Sequence, residues 1–165
     1  MVIISDTSTV SNLIQIGELD LLKKMFGSII IPPFVNKEIR ALETFNIDIE
    51  AYRKANWITI NFPKNKEGLS VLLNVLDRGE SEAIILAQEM NAEYLLIDEK
   101  IGTRIAKDYG LNTIGLLGVL IKCKEKGFID KVRPIIDKLR NDAGFWLSDK
   151  LYNRILQEID EKYQQ

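Results

Sequence analysis

Short β-branched runs alternate with longer stretches of helical spacing through most of this chain. That rhythm marks a parallel α/β sheet, in which each strand reaches its neighbour through a helix. The runs fall at residues 2–5, 28–31, 57–62, 94–97 and 112–115. They predict a central sheet of about five strands flanked by helices. Helical spacing predicts helices near residues 9–16, 19–26, 34–42, 48–56, 69–76, 80–90, 101–109 and 116–126. Pro32 and Pro33 end the second strand, because proline cannot donate to a ladder. Gly79 is read as the break before helix 80–90. From Asp130 the β signal stops, and two helices are expected at 131–139 and 149–163, the second capped by Ser148. The chain is therefore read as one domain, with an α/β core over 1–128 and a helical C-terminal extension over 129–165. That extension is either a hairpin docked on the core or an arm that reaches a partner.

Histidine is absent from all 165 residues. This removes Ser-His-Asp and Cys-His catalysis, histidine acid–base chemistry and histidine-bound zinc. Hydrolysis by this chain must use carboxylates, Lys, Tyr or a hard metal held by oxygen. Lys+Arg number 22 against 24 Asp+Glu, a net charge of -2, which argues against binding nucleic acid by bulk positive charge. Cys123 is the lone cysteine, so no internal disulfide forms. No run approaches the roughly 18 apolar residues of a membrane span, and the first ten residues lack the basic start of a signal peptide. The expected location is the cytoplasm, with no membrane partner.

Ligands of open parallel α/β sheets bind beyond the carboxyl ends of the strands. Asp6 follows the first predicted strand and Asp98 the fourth. Glu38 lies early in the helix after the second strand, and Glu80 and Glu82 open the helix before the fourth. Each acid has an ordinary reading as well. Asp and Glu favour helix N-termini, turn acids bond nearby backbone N–H groups, and most of the 24 carboxylates must be solvated surface. The functional reading rests on the set. Four acids converging on one edge repel, and such a cluster wants a divalent cation.

The segments that carry these acids resemble the PIN domain. Ile3-Ile4-Ser5-Asp6-Thr7-Ser8 is similar to its opening strand with an Asp and a following Ser or Thr. Phe34-Val35-Asn36-Lys37-Glu38-Ile39 resembles its helical Glu, and Gly79-Glu80-Ser81-Glu82-Ala83-Ile84 its acidic helix start. Leu95-Leu96-Ile97-Asp98-Glu99-Lys100 resembles the strand that ends in the fourth acid. The register holds from residue 2 to about residue 120. Ile114-Gly115-Leu116-Leu117-Gly118 and Leu147-Ser148-Asp149 resemble a prokaryotic branch of PIN-like proteins.

The resemblance implies a Mg²⁺- or Mn²⁺-dependent nuclease, foremost a ribonuclease, that hydrolyses phosphodiesters with metal-activated water. By that carry-over Asp6, Glu38, Glu82 and Asp98 hold the metal, with Glu80 competing with Glu82. Residues two apart on a helix point to nearly opposite sides, so one of the two is expected at the metal. Glu99 is an auxiliary acid. Ser8 orients Asp6 or a water, or simply caps a helix. Lys100 and Arg104 steer the phosphate backbone, or form a solvated helix face. Trp57, Phe145 and Trp146 either stack on bases or anchor core and interface, the core reading being favoured for Trp57. Two departures stand out: Glu occupies the third acidic position, where Asp is usual, and the stretch after Asp98 lacks the usual downstream acid and aromatic. The implied partners are single-stranded RNA, a small antitoxin if the protein is a toxin, and a second copy in a homodimer.

Three other α/β readings fit less well. Asp6-Thr7-Ser8-Thr9-Val10 departs from a haloacid-dehalogenase-like phosphatase at the second acid, where Ser8 stands. A response-regulator receiver expects an acidic pair where Asp6 is alone. A Rossmann binder needs a Gly-rich loop after the first strand, and none is present. The alternative of a different class is a catalytically weak or inactive PIN-like interaction module, with the tail around Phe145, Trp146 and Leu147 as its working part.

Overall fold

The computed structural model describes residues 1–159. Five parallel strands form one sheet: β1 (Ile3–Ser5), β2 (Ile29–Ile31), β3 (Ile58–Ile60), β4 (Tyr94–Leu96) and β5 (Thr113–Ile114). Their order is β3-β2-β1-β4-β5. Each lies inside a predicted run but is shorter than it. Ladder bonds reach one residue past some ends, from Asp6 N–H to Leu96 O and from Ile97 N–H to Ile114 O. The 57–62 run loses most. Asn61 N–H still reaches Ile31 O, but Phe62 has left the edge strand and is exposed.

Strand alternation divides the core into two layers. Ile3, Ile29, Ile31, Leu96 and Ile114 face one layer, and Ile4, Leu95 and Ile97 face the other. The first layer is covered by α1 (Thr7–Gln15), α2 (Asp20–Phe26), α3 (Pro33–Ala41) and α8 (Leu116–Glu125). The second is covered by α5 (Lys66–Leu72), α6 (Arg78–Glu89) and α7 (Lys100–Asp108). The helix expected over 48–56 is a single turn, α4 (Glu50–Arg53), after a 3-10 turn at Leu42–Phe45.

Two helix starts differ from expectation for one reason. Asp6 is itself the N-cap of α1, and Asp77 is the N-cap of α6, its Oδ1 accepting the Glu80 N–H at 2.8 Å. A capping carboxylate starts the helix at the next residue. Gly79 therefore sits in the first turn of α6 rather than breaking the chain before it.

The C-terminal helices α9 (Arg133–Asp142) and α10 (Asp149–Glu158) are docked, not an extended arm. Ile135, Ile136, Leu139, Leu147 and Ile155 belong to the same buried cluster as Ile3. Tyr152 donates to Asp137 Oδ1 at 2.7 Å, Arg140 pairs with Asp149, and Ser148 caps α10. The predicted continuation of this helix over 160–163 lies outside the described residues. Among the described residues no helix is long and apolar enough to cross a membrane.

Candidate active site

The strand order reverses between β1 and β4. That makes the crevice past their carboxyl ends the topological switch point, where open α/β sheets take ligands. Asp6 follows β1 directly, and Asp98 stands just past β4. A cleft of about 530 Å³ opens there, lined by Asp6, Glu38, Glu80, Asp98 and Glu99, with Asp77, Thr7, Ser8 and Asn12. Its remaining wall is Gly144-Phe145-Trp146, from the loop between α9 and α10.

Four of these acids, Asp6, Glu38, Asp98 and Glu99, have one or more oxygens held by a neighbour. Asp6 is 3% exposed, and its Oδ1 accepts both the N–H and the hydroxyl of Ser8 at 3.2 Å. Of the two roles expected of Ser8, orienting Asp6 is the one the contacts fit; the helix cap is Asp6 itself, and Ser8 lies inside α1. Glu38 Oε1 accepts the Thr7 hydroxyl at 2.7 Å. Asp98 accepts the Leu116 N–H at 3.0 Å on Oδ1 and 3.2 Å on Oδ2, which ties β4 to the start of α8. Glu99 caps α7 through the Gly102 N–H.

Two glycines make room for these acids. A Cβ on Gly79 would stand 2.5 Å from Glu38 Oε1, and one on Gly115 would stand 2.5 Å from Asp98 Oδ1. Both distances lie far inside contact, so a side chain at either place would push the carboxylate aside.

The electrostatics record the crowding. Burial pushes the Asp6 carboxyl up to about 8, helped by the charge of Asp98 and opposed by the Ser8 hydrogen bond. Glu80 is pushed up to about 7 by burial and by the charges of Asp77 and Glu99. Asp98 is also raised by burial, against the Leu116 N–H. Desolvated like charges favour the protonated forms, and a cation in the cleft would reverse that preference.

Glu82 stands apart from these acids. It is 4% exposed, and its Oε1 accepts the Phe34 N–H at 3.1 Å while Oε2 accepts Arg78 Nε at 2.8 Å. It lines shallow depressions with Pro33, Phe34 and Arg78, away from the cleft of Asp6 and Asp98. The structure does not bring Glu82 to the cleft: Glu80 lines it, and Glu82 braces α6 against the start of α3. The reason is the two-residue spacing on a helix. Lys100 and Arg104 line an adjoining groove with Ile101, Thr103 and Lys107, and Asp98 borders both openings.

Asp77, Thr7 and Asn12 belong to the cleft although they were not singled out from the sequence. Asp77-Arg78-Gly79-Glu80 carried a signal, since an Asp three residues before a Glu matches a helix-capping pattern. Asn12 carried none.

All donors in the cleft are oxygens, which suits a hard divalent cation. Among the described residues no three acidic, histidine or cysteine side chains form a ready-made cage for one ion.

Fold and site together define a parallel α/β protein with a carboxylate-lined cleft at its switch point. A family model described as PIN domain matches residues 2–161, and the chain belongs to that family. The PIN superfamily consists generally of metal-dependent nucleases, and its domains typically use divalent metals. Among solved structures the chain is similar to a PilT N-terminus domain protein from the hyperthermophilic archaeon Sulfolobus solfataricus, with a TM-score of 0.52 and 21% identity. The match covers 73% of this chain and 92% of that one, and it shows the shared fold. A comparison with curated proteins finds no match.

Proposed function

We propose that this protein is a Mg²⁺- or Mn²⁺-dependent ribonuclease acting on single-stranded RNA. One observation carries the reading: Asp6, Glu38, Glu80 and Asp98, from four separate segments, line one cleft at the switch point. Asp6, Glu80 and Asp98 would hold the ion, with Glu38 beside them and Glu99 as an auxiliary acid at the rim. A bound Mg²⁺ or Mn²⁺ supplies activation of water and stabilisation of charge at the phosphorus.

The chain's own residues do the rest. Ser8 fixes the Asp6 carboxylate and Thr7 fixes Glu38. The Leu116 N–H holds Asp98 at the mouth shared by the acidic cleft and the basic groove. Lys100, Arg104 and Lys107 are exposed there, and among the described residues none of them forms a salt bridge. They are placed to take phosphates of a strand whose scissile bond lies over the acids. A toxin setting with a small antitoxin, and assembly as a homodimer, rest on the family resemblance alone.

The second reading, an interaction module with weak or no catalysis, is favoured by the lack of a ready-made three-acid cage among the described residues. One assay separates the two. Mixed-sequence single-stranded RNA is incubated with Mn²⁺ and either the wild type or Asp98→Asn, with folding checked by circular dichroism. Asn keeps an acceptor for the Leu116 N–H but loses the charge. Metal-dependent cleavage that disappears in the folded variant supports the nuclease. No cleavage by the wild type, with no Mn²⁺ binding by calorimetry, supports the module.

A further inference from the structure

Trp146 is 83% exposed, more than any other large apolar side chain among the described residues. It is not on a loose segment. Phe145 N–H donates to Leu139 O at 2.9 Å, and the Phe145 ring packs against the main core. Leu147 is buried in that core, and Ser148 caps α10 one residue later. The chain is thus fastened on both sides of the indole, while the indole itself is turned out to line the acidic cleft.

The indole forgoes the burial that usually places it and is held at the wall of the cleft, where a ligand's flat face could cover it. A protein partner would want a contiguous apolar patch. The chain around Trp146 instead exposes Asn141, Asp142, Asp149 and Lys150. A nucleobase needs only one flat face, and stacking on an aromatic is tolerant of base identity. The basic groove of Lys100 and Arg104 adjoins the same cleft through Asp98. Phosphates at the groove and a base at the cleft wall are the two contacts of a single strand.

We propose that Trp146 is a base-stacking platform that holds an unpaired base of the substrate strand at the cleft, so that bound RNA must be locally single-stranded. The proposal rests on the ribonuclease reading above. A paired base keeps its faces inside the helix stack and cannot offer one to the indole.

The test measures binding in the Asp98→Asn background, which blocks cleavage. The probes are a mixed-sequence 12-nucleotide RNA, the same length of abasic ribose-phosphate strand, and the RNA annealed to its complement. Trp146→Ala is expected to weaken binding of the RNA about 5- to 150-fold, the range for loss of one stacked base. It should leave the abasic strand unchanged, and Trp146→Phe should recover most of the loss. Arg104→Ala should weaken both strands. In a Trp57→Phe background, the remaining indole fluorescence should be quenched by the RNA and not by the abasic strand or the duplex.

If the parent protein binds the RNA and Trp146→Ala binds it equally well, the platform is overturned and the ribonuclease reading stands. An equal weakening toward RNA and abasic strand also overturns it, as a general distortion of the cleft. If Trp146→Ala instead abolishes self-association with RNA binding intact, the indole is a protein anchor. If the wild type neither cleaves nor binds any strand, the ribonuclease reading fails and the platform fails with it.

Discussion

Replacing Asp6 by Asn should stabilise the metal-free protein at alkaline pH and barely alter it in acid. In the folded chain Asp6 keeps its proton up to about pH 8, whereas its ordinary value is 3.8. Between those values the native state binds more protons than the unfolded state. Stability therefore falls as pH rises through that window and levels off above about pH 8. Roughly four pH units at 1.36 kcal/mol each make this cost about 5 kcal/mol. Asn carries no such titration, and its carbonyl oxygen can still accept from Ser8. The two proteins should have similar stability at pH 4.5, and Asp6→Asn should exceed the wild type by several kcal/mol at pH 8.5. Urea unfolding in EDTA at a series of pH values reads this directly. Glu80 and Asp98 titrate in both proteins and couple to Asp6 through their charges, so the difference between the curves reads Asp6 together with that coupling. A difference that stays constant from pH 4.5 to 8.5 would refute the claim that burial and the Asp98 charge hold Asp6 protonated. Adding Mn²⁺ should stabilise the wild type more at pH 8.5 than at pH 5.5, because protons compete with the ion, and Asp6→Asn should lose most of that gain.

Gly115→Ala should leave the fold intact, since its φ of -84° suits alanine, but force Asp98 Oδ1 away from a Cβ at 2.5 Å. Cleavage should fall by about 100-fold, the cost of a misplacement near 1 Å, and unchanged steady-state kinetics would refute it. Glu80 and Glu82 should divide cleanly. Glu80→Gln lowers Mn²⁺-dependent cleavage about 10-fold or more with stability kept. Glu82→Ala costs about 1–3 kcal/mol in urea unfolding by stranding the Phe34 N–H, with Mn²⁺ affinity kept. The reverse pattern would return Glu82 to the metal group.

The sheet was legible because its interior strands are short apolar runs that end in acid or proline, and each run held an observed strand. Asp6 and Asp98 were legible for the same reason, since a strand end is a fixed place in a parallel sheet. The choice between Glu80 and Glu82 was not legible, because residue spacing says that two helical acids diverge but not which one faces the cleft. That choice depends on how α6 is rotated against α3, a tertiary fact set by the Phe34 N–H and by the approach of Gly79 to Glu38. The helix starts at Thr7 and Arg78 were displaced by capping acids, whose pull acts over three residues and leaves no hydrophobic period. Trp146 was read as a base-stacking or anchoring aromatic, but its place beside Asp6 was out of reach, because nothing local links residue 146 to residue 6. Only the docking of α9 and α10 on the first core layer brings them together.

That docking also sets an order of events during synthesis. The acids that form the floor have all been translated by residue 98, but Gly144, Phe145 and Trp146 follow much later. At about 5–20 residues per second the missing wall trails the floor by several seconds. Leu147 and Ile155 belong to the core, and Trp146, in the loop between α9 and α10, lines the cleft. Until α9 and α10 dock, a nascent chain carries the floor of the cleft without its wall.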